Sequence, residues 1–345
     1  MSHSTVPRTE TEAEEVNENA PAAHGGAAGA PKEPPAAKQG LRVRFRRDRV
    51  LLLMTLPAVL LVLLFNYVPI LGNVVAFQEY DPYISDNGIV SILHSPWVGL
   101  ENFQRIFEDS AFWNAVQNTL LLFVLQLVLY FPIPILLALL INSVVRPRVR
   151  AISQAVLYLP HFFSWVLVIA VFQQLFGGAG LLSQLLRDHG YDGLSLMTDP
   201  DTFKFLVTAQ SVWKDAGWGI IVFLAALASV SPDLYEAAAM DGANRWRRMW
   251  HVTLPALRPV IALLLVLRVG DALTVGFEQI LLQRDAVGPG AAEVLDTFVW
   301  WNGVRNQDFG YAAAAGLVKG VISLGLVLMA NKVAHLMGEQ GVYKK

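Results

Sequence analysis

Charged and tryptophan side chains lie inside the most apolar segments of this chain, where such groups could bind a polar solute or one another. Arg268, Asp271 and Glu278 are separated by three and seven residues, which places them within about 80° of one another on a helix. A charge at the depth of a bilayer is costly unless it faces a cavity or a partner. The candidate substrate-path residues are Trp213, Lys214, Asp215, Trp218, Arg268, Asp271, Glu278 and Lys319.

Two interpretations of this polar set remain open. In the first, Lys214, Asp215, Arg268, Asp271 and Lys319 come to similar depth and lock the helices together by pairing with one another. In the second, they line a water-filled path whose walls hydrogen-bond a polar solute, while a tryptophan offers an apolar face to a sugar ring. Both interpretations predict that three helices meet around a polar interior.

The elements that would hold these residues are six apolar segments. Hydrophobic residues make up 54% of the chain and charged residues 16%, which is more apolar than a soluble domain. A helix that crosses a bilayer needs roughly 20 apolar residues, and no segment alternates at period two. The sequence therefore predicts an all-α, polytopic membrane protein rather than a barrel. The six predicted spans are 50–70, 115–141, 151–176, 205–230, 259–282 and 312–330.

Basic residues gather in alternate connections. Arginines directly precede the first span and recur at 146–150 and 245–248, whereas the remaining connections carry mostly acids. The positive-inside rule places both termini and the 231–255 connection in the cytoplasm, so that the chain is a multi-pass protein of the cytoplasmic membrane. Residues 1–40 are rich in Ala, Pro, Gly and Glu and predict a disordered cytoplasmic tail, which leaves 41–345 as the six-helix domain.

Two spans contain features that bear on their shape. Pro132 and Pro134 lie inside the second span, and because each lacks a backbone donor they predict a kink or an opening. Four polar residues of the third span have the spacing i, i+4, i+7 and i+10, which predicts that they share one helix face. These residues are Gln154, Tyr158, His161 and Ser164. We interpret His161 as a packing residue rather than a ligand.

The connection between the fourth and fifth spans has the local signals of a short, capped helix. Ser231 is a good N-cap, and Pro232 suits the first helical position. Gly242 suits a left-handed position just after the helix, and Pro255 marks the start of the next span. The sequence predicts a helix-turn-helix at the cytoplasmic face. This element could dock a partner protein, or it could lie on the lipid as an interfacial helix.

The same connection carries a longer pattern. It reads Glu236-Ala237-Ala238, three residues, Gly242, nine residues, Val252, one residue, and Leu254-Pro255. The pattern resembles the signature of the inner-membrane permease subunits of binding-protein-dependent ABC importers, with valine where isoleucine is usual. The segments 158–165 and 213–219 resemble the LplB-type carbohydrate permeases in particular. The resemblance implies the MetI-like, six-helix fold of type I ABC importer permeases.

This resemblance implies a transport subunit, not an enzyme, that moves a carbohydrate of the oligosaccharide class by alternating access. Two partner ATPase subunits would bind ATP-Mg, since this chain has no Gly-x4-Gly-Lys-Ser/Thr phosphate loop and would itself hold no cofactor or metal. The other implied partners are a second permease subunit in a heterodimer, an extracytoplasmic solute-binding protein and membrane lipid, with no nucleic acid. The residues implied to couple to the ATPase are Glu236, Ala237, Ala238, Asp241, Gly242, Arg245, Leu254 and Pro255.

Two other classes of protein remain as alternatives. An ion-coupled secondary transporter would use Lys214, Asp271 and Glu278 to carry protons, but such proteins tend to show internal repeats, and none is evident here. A membrane-embedded enzyme ranks last, because the spans hold no metal-ligand spacing and no nucleophile beside a base. The absence of cysteine excludes thiolate chemistry as well. The pattern of residues does not identify which sugar would be carried.

Overall fold

The computed structural model of the chain describes residues 49–336. The predicted tail at 1–40 lies outside the described residues. The described part is mostly helical and contains one isolated β-bridge, between Gln78 and Trp97, and no strand. In chain order its α-helices are α1 Arg49–Val62, α2 Val68–Leu71, α3 Gly88–His94, α4 Glu101–Glu108, α5 Ser110–Leu125, α6 Pro132–Ser143, α7 Pro147–Tyr158, α8 Trp165–Phe176, α9 Leu181–Asp188, α10 Phe203–Ala228, α11 Pro232–Met240, α12 Arg245–Arg248, α13 Leu254–Gly270, α14 Phe277–Leu281, α15 Arg284–Val287, α16 Pro289–Ala292, α17 Leu295–Trp300 and α18 Phe309–Leu336.

Tighter and wider helical turns join several of these helices. The 3-10 helices of the described residues are Gly72–Phe77 and Leu159–Phe162. The π-helical segments there are Leu63–Tyr67, Gln126–Tyr130, Met249–Thr253 and Trp301–Arg305. In a π segment each backbone hydrogen bond spans one residue more than in an α-helix, which widens the turn. Such segments are frequent at functional sites.

Six helical segments in the described part of the chain are long and apolar enough to cross a bilayer, which confirms the predicted number. They are Leu53–Phe77, Ser110–Ser143, Trp165–Asp188, Phe203–Ala228, Arg245–Gly270 and Phe309–Val333. Many of their large apolar side chains are exposed, as expected where lipid is the solvent. The predicted all-α, multi-pass membrane architecture is therefore confirmed.

The described residues divide into two units, 49–62 and 63–336. In the first unit, the side chains of α1 from Leu53 to Val62 are exposed, and all except that of Thr55 are apolar. In the second, α10 is the central helix, and it packs against α6 and α13. The core there contains Ile141, Phe223 and Leu257. α18 packs against α13 and against the 3-10 helix Gly72–Phe77.

Two ends of the second unit differ in charge. The basic end carries the connections 144–146 and 229–244, which are flanked by the arginines of α7 and α12. The acidic end carries the connections 78–109, 177–202 and 271–308. The side chains of Tyr83 and Arg105 contact Gln307 and Asp308, which holds the connections 78–109 and 271–308 together at the acidic end.

The second span opens at the predicted prolines. α5 passes into the π segment Gln126–Tyr130, and the amide N–H of Phe131 donates to the carbonyl of Gln126 at 2.9 Å. Pro132 then occupies the first turn of α6, where its missing N–H leaves no hydrogen bond unmade. The wide turn brings the side chains of Gln126 and Tyr130 toward α13.

The prediction that the third span is one continuous helix is wrong. α7 ends at Tyr158, and the following 3-10 helix contains Pro160, which cannot continue the α-helical ladder. Ser164 is extended and caps α8, since its hydroxyl accepts the N–H of Leu167 at 3.4 Å. The polar residues from Gln154 to Ser164 therefore do not share one helix face.

The fifth span also ends earlier than predicted. α13 stops at Gly270, and Asp271 follows as its C-cap. Gly276 has φ +57°, a left-handed conformation that favours glycine and that separates α13 from α14. Glu278 thus lies on a different helix from Arg268. The prediction that Arg268, Asp271 and Glu278 line one helix face is wrong, because the spacing rule holds only within an unbroken helix.

Candidate solute path and docking loop

The break in the third span is in direct backbone contact with α10. A Cβ atom placed on Gly217 would lie 1.8 Å from the carbonyl oxygen of Leu157, so only glycine permits this approach. The close approach brings the buried Lys214 beneath the 3-10 turn, and its Nζ donates to the carbonyl oxygen of His161 at 2.7 Å. Lys214 therefore supplies a donor to a backbone carbonyl at the turn where the α-helix is interrupted.

Side chains complete this cluster. Nδ1 of His161 lies 2.9 Å from Oδ1 of Asp215, and Nζ of Lys214 lies 3.9 Å from the same oxygen. The imidazole stacks on the ring of Trp218, with centroids 4.5 Å apart and planes 11° from parallel. The Lys214 ammonium lies 5.5 Å from the ring centroid of Trp165. We call Trp165, His161, Lys214, Asp215 and Trp218 the His161 cluster.

The His161 cluster can interact with a solute. The side chains of His161 and Asp215 remain 31% and 30% exposed, so their unpaired edges can be reached. The cluster offers a carboxylate and an indole from one turn of α10, together with an imidazole from the adjoining 3-10 turn. Such a combination can hydrogen-bond the edge of a polar ring and pack against its face.

Arg268 occupies a second polar position, on α13. Its guanidinium donates to the side-chain oxygen of the buried Gln126 and lies 5.8 Å from the ring centroid of Tyr130. Nε of Arg268 is buried and has no hydrogen-bond partner among the described residues. Gln126 and Tyr130 therefore hold the Arg268 guanidinium against the π segment of the second span.

The remaining candidates lie elsewhere. Lys319 pairs with Asp296, beside a largely apolar cavity of about 640 Å³ at the acidic end. Trp213 packs in an aromatic group, 5.9 Å from Phe172 between ring centroids. Asp271 is exposed at the end of α13.

Glu278 is exposed, whereas Gln279, the next residue of α14, is buried. Gln279 donates to the side-chain oxygen of Gln210 at 2.7 Å and to the carbonyl of Val207 at 2.9 Å. Gln283 adds a bond to Gln210 at 3.1 Å. This buried amide network attaches α14 to α10 and leaves Glu278 facing outward.

The interpretation in which the five charges lock the helices by pairing with one another is contradicted for all but one pair. Of the predicted charges, only Lys214 and Asp215 are within ion-pair distance of each other in the described part of the chain. The partners that sequence reasoning missed are His161, Gln126, Tyr130 and Asp296. Proline is the sequence signal that could have revealed two of these partners, because Pro160 and Pro132 mark the places where the helices open beside His161 and Gln126.

The 231–255 connection has the predicted caps. The Ser231 hydroxyl accepts the N–H of Asp233 at 3.3 Å, and Gly242 has φ +73°. The N–H of Gly242 donates to Ala239 at 3.0 Å, and that of Ala243 donates to Ala238 at 2.9 Å. These two bonds form a Schellman motif, which closes the C-terminus of α11.

The turn after α11 is held by Asn244 as well as by Gly242. The Asn244 side chain caps α12 by accepting the N–H of Arg247 at 2.9 Å. No side-chain hydrogen bond of Arg245 stabilises the turn in the described structure; Arg245 instead lines a cavity of about 700 Å³ between this connection and the end of α6. α12 continues through the π segment Met249–Thr253 into α13, with Leu254 and Pro255 at the start of α13.

The outer surface of α11 is open to a partner. Glu236, Ala237 and Asp241 are exposed, and Met240 is 90% exposed. The helix is attached at its base, where the Tyr235 hydroxyl lies 3.2 Å from Oγ1 of Thr253. The small side chains permit close approach by another surface. Among the described residues, no group of three or more His, Asp or Glu side chains is arranged to hold a metal ion.

Comparisons with known proteins agree with this architecture. Residues 130–336 match the family described as the binding-protein-dependent transport system inner membrane component. The polygalacturonan/rhamnogalacturonan transport system permease protein YteP of Bacillus subtilis (strain 168) is 42% identical over 307 residues, covering 89% of this chain and 94% of that protein. Protein LplB of the same organism is 38% identical over 299 residues, covering 86% of this chain and 92% of LplB.

A solved structure shares the fold over nearly the same length. The crystal structure of a bacterial alginate ABC transporter, in complex with an alginate pentasaccharide-bound periplasmic protein, contains a chain that is 36% identical with a TM-score of 0.79. The match covers 88% of this chain and 99% of that chain. The six spans, the capped 231–255 connection and the family match all indicate the same class of membrane protein. This chain belongs to the inner membrane components of binding-protein-dependent transport systems, and it is a transport permease of the MetI-like fold rather than an enzyme.

Proposed function

We propose that this chain is the permease subunit of an ATP-driven ABC importer that moves an oligosaccharide across the cytoplasmic membrane by alternating access. The observation that carries the proposal is the capped, exposed helix α11, followed by a helix that runs from Arg245 to Gly270. A partner that displaces α11 would act on the base of a membrane span. Such a connection can transmit force, because the Schellman motif and the Asn244 cap hold α11 against α12.

The docking surface is the exposed side of α11 and the turn after it. Two ATPase subunits bind ATP-Mg, and one of them receives Glu236 and Asp241, whose carboxylates suit basic groups. Their closure moves α11 and, through α12 and the π segment, α13 with Arg268. The proposed coupling residues are Glu236, Ala237, Ala238, Asp241, Gly242, Arg245, Leu254 and Pro255.

The proposed solute path runs past the His161 cluster and Arg268. These groups supply donors, acceptors and the Trp218 face, which suit a hydroxyl-rich solute. The relatives support a carbohydrate: their names mention polygalacturonan, rhamnogalacturonan and arabinooligosaccharides, and the solved transporter imports alginate. Because α13 carries Arg268, movement of the docking loop would change the path at the same time.

The proposed orientation of the chain in the membrane follows from the charges of its two ends. Under this proposal, the basic end and both termini face the cytoplasm, in line with the positive-inside rule. An extracytoplasmic solute-binding protein delivers the oligosaccharide to the acidic end, and a second permease subunit completes a heterodimer. Residues 41–345 form the permease domain, and 231–255 is its coupling loop.

Energy dependence tests this proposal. The complete transporter, reconstituted in vesicles with its binding protein, should take up oligosaccharide when ATP is supplied, and vanadate should abolish uptake. An uncoupler should leave uptake unchanged. The ion-coupled alternative predicts the reverse. The structure does not favour it, because Asp271 and Glu278 are exposed and the described ion pair of Lys214 is with Asp215 instead. Uptake that persists without ATP and collapses with the uncoupler would contradict the proposal.

A further inference from the structure

The cavity of about 700 Å³ beside the coupling loop is built from the ends of two membrane spans. One wall comes from the last turns of the span Ser110–Ser143, and the other comes from the first turns of the span Arg245–Gly270. Its volume falls within the ~300–1,000 Å³ of small-molecule sites. We call it the α6–α12 cavity. Its lining residues on which the argument depends are Leu136, Leu140, Asn142, Arg245, Trp246 and Arg248.

The lining of the α6–α12 cavity changes from cationic to apolar with depth. Arg245 and Arg248 line it at the start of the fifth span, where that span leaves the polar connection. Leu136 precedes the end of the second span at Ser143 by seven residues, which places it about 10 Å further into the span. Leu136 and Leu140 are both exposed. A phospholipid has the same order of groups, with a phosphate above its acyl chains.

The two arginines of the cavity have no counter-ion among the described residues. Neither side chain takes part in an ion pair, a hydrogen bond or a contact with an aromatic face in that part of the chain. Arg248 is partly buried, and a cation that is partly withdrawn from water is costly without an anion. A phosphate suits this role, because a planar guanidinium can donate two parallel hydrogen bonds to it.

The α6–α12 cavity is separate from the proposed docking surface of α11. Tyr235 of α11 lines the cavity, whereas Glu236 and Asp241 do not. Tyr235 is also the residue that attaches α11 to Thr253, with the two hydroxyl oxygens 3.2 Å apart. An occupant of the cavity would therefore contact the attachment of the coupling loop and leave the surface for the ATPase free.

We infer that the α6–α12 cavity binds one anionic phospholipid. Its phosphate lies on Arg245 and Arg248, and an acyl chain lies against Leu136 and Leu140. Trp246 is exposed beside the arginines and suits the level of the head groups, where tryptophan is enriched. Basic pockets between membrane spans bind anionic head groups in this way. A zwitterionic phospholipid is disfavoured, because its own cation would meet the arginines.

The bound lipid connects the coupling loop to the end of α6. The cavity lies between these two elements, so an occupant contacts both of its walls. Displacement of α11 by the ATPase would then move the spans, because the loop could not shift into the cavity. ATP-driven uptake should therefore depend on anionic lipid. This consequence rests on the proposed function, whereas the binding of the lipid does not.

Two substitutions test the site, and each has a matched control. Arg248→Gln removes one cation from the cavity, and Arg247→Gln is its control, because Arg247 is exposed on the same helix and does not line the cavity. Asn142→Trp fills the cavity without changing its charge. Asn142 is exposed and its side chain has no hydrogen bond in the described structure, so the variant should fold. Val149→Trp is its control, on an exposed position of α7 outside the cavity.

The test is native mass spectrometry of the complete transporter, delipidated and titrated with phosphatidylglycerol or phosphatidylcholine. Phosphatidylglycerol should bind more tightly, and Arg248→Gln should weaken its binding about fivefold, equivalent to about 1 kcal/mol. Asn142→Trp should remove one bound molecule, and both controls should bind like the unmodified chain. Equal affinities for the two lipids, or unchanged binding of phosphatidylglycerol in both Arg248→Gln and Asn142→Trp, overturns the inference.

Two further measurements test other occupants. Inorganic phosphate should not displace phosphatidylglycerol at equal concentration, because it has no acyl chain; displacement would show a site for free anions and overturn the inference. The affinity of the ATPase for Arg248→Gln and Asn142→Trp is measured in phosphatidylcholine alone, where it should equal that of the unmodified chain. Weaker binding there would show that the cavity receives the ATPase, which also overturns the inference.

Uptake in vesicles separates this inference from the proposed function. Phosphatidylglycerol should raise ATP-driven uptake by the unmodified transporter above that in phosphatidylcholine, and Arg248→Gln should lose this increase. Equal uptake in the two lipids, with phosphatidylglycerol bound, overturns the role of the lipid in coupling. Absence of ATP-driven uptake in both lipids, with phosphatidylglycerol bound as expected, contradicts the proposed function alone.

Discussion

The coupling loop and the His161 cluster reach their geometry by different routes. In the coupling loop, the stabilising bonds of the turn join residues at most five positions apart, such as Ala243 to Ala238 and Arg247 to Asn244. In the His161 cluster, the bonds from Lys214 and Asp215 to His161 join residues 53 and 54 positions apart. Local interactions therefore build the proposed docking surface, whereas packing of separate spans builds the proposed solute path.

This difference predicts how each region responds to substitution. A change in the coupling loop should weaken partner docking and leave the helical bundle folded, because the loop is exposed. A change at the contact between α7 and α10 should disturb the bundle itself. The following expectations test this contrast, from the largest effect to the smallest.

Gly217→Leu should have the largest effect. The new Cβ would collide with the carbonyl of Leu157 1.8 Å away, which requires α7 and α10 to separate. Overpacking of this kind costs about 1–3 kcal/mol or more, so the thermal midpoint of the purified permease should fall and little folded protein should be recovered. Gly325→Leu is the control, because its added side chain meets open space on α18. Equal midpoints for the two variants would contradict the close contact.

Gly242→Val should uncouple the transporter without unfolding it. A β-branched residue at φ +73° is strained, at a cost of about 1–3 kcal/mol, and the Schellman motif should be lost. ATP-driven uptake and copurification of the ATPase should therefore fall by about tenfold or more. Gly242→Asn should retain most of the activity, because asparagine tolerates the left-handed conformation. A normal rate of uptake in Gly242→Val would show that α11 is not the docking element.

Lys214→Met should impair transport through the His161 cluster. The substitution removes the donor to the His161 carbonyl and the cation beside Asp215. A hydrogen bond from a charged group contributes about 1.5–3 kcal/mol, so uptake should fall about tenfold while the ATPase still copurifies. Lys332→Met, an exposed position on α18, should show wild-type uptake. If Lys214→Met also abolished ATPase binding, it would contradict the proposal that the solute path and the coupling loop are separate sites.

Asn244→Ala should give the smallest effect. Loss of an N-cap costs about 1 kcal/mol, here confined to the start of α12. Affinity for the ATPase should therefore fall about fivefold, with uptake reduced only when the ATPase is limiting. Asn244→Asp keeps a capping oxygen and should bind the ATPase like the unmodified chain. A titration of purified ATPase against the permease measures both variants.

The sequence predicted most reliably what depends on near neighbours. Ser231, Pro232 and Gly242 act as predicted because each cap is a bond between residues a few positions apart. The number of spans was likewise predictable, because the thickness of a bilayer sets the length of apolar helix that can cross it. The predictions for the third and fifth spans were wrong because the third is interrupted at Pro160 and the fifth ends at Gly270. Residues share a helix face only within an unbroken helix.

The amino-acid sequence by itself determined the class of this protein, its number of membrane spans and the caps of the 231–255 connection, because hydropathy and capping act locally. Only the tertiary structure decided which partner each buried charge receives: His161 for Lys214 and Asp215, Gln126 for Arg268, and Asp296 for Lys319. A buried charge takes whichever donor or acceptor the packing of the helices places beside it. That packing depends on breaks such as the 3-10 turn and on close contacts such as Gly217, which join residues far apart in the chain.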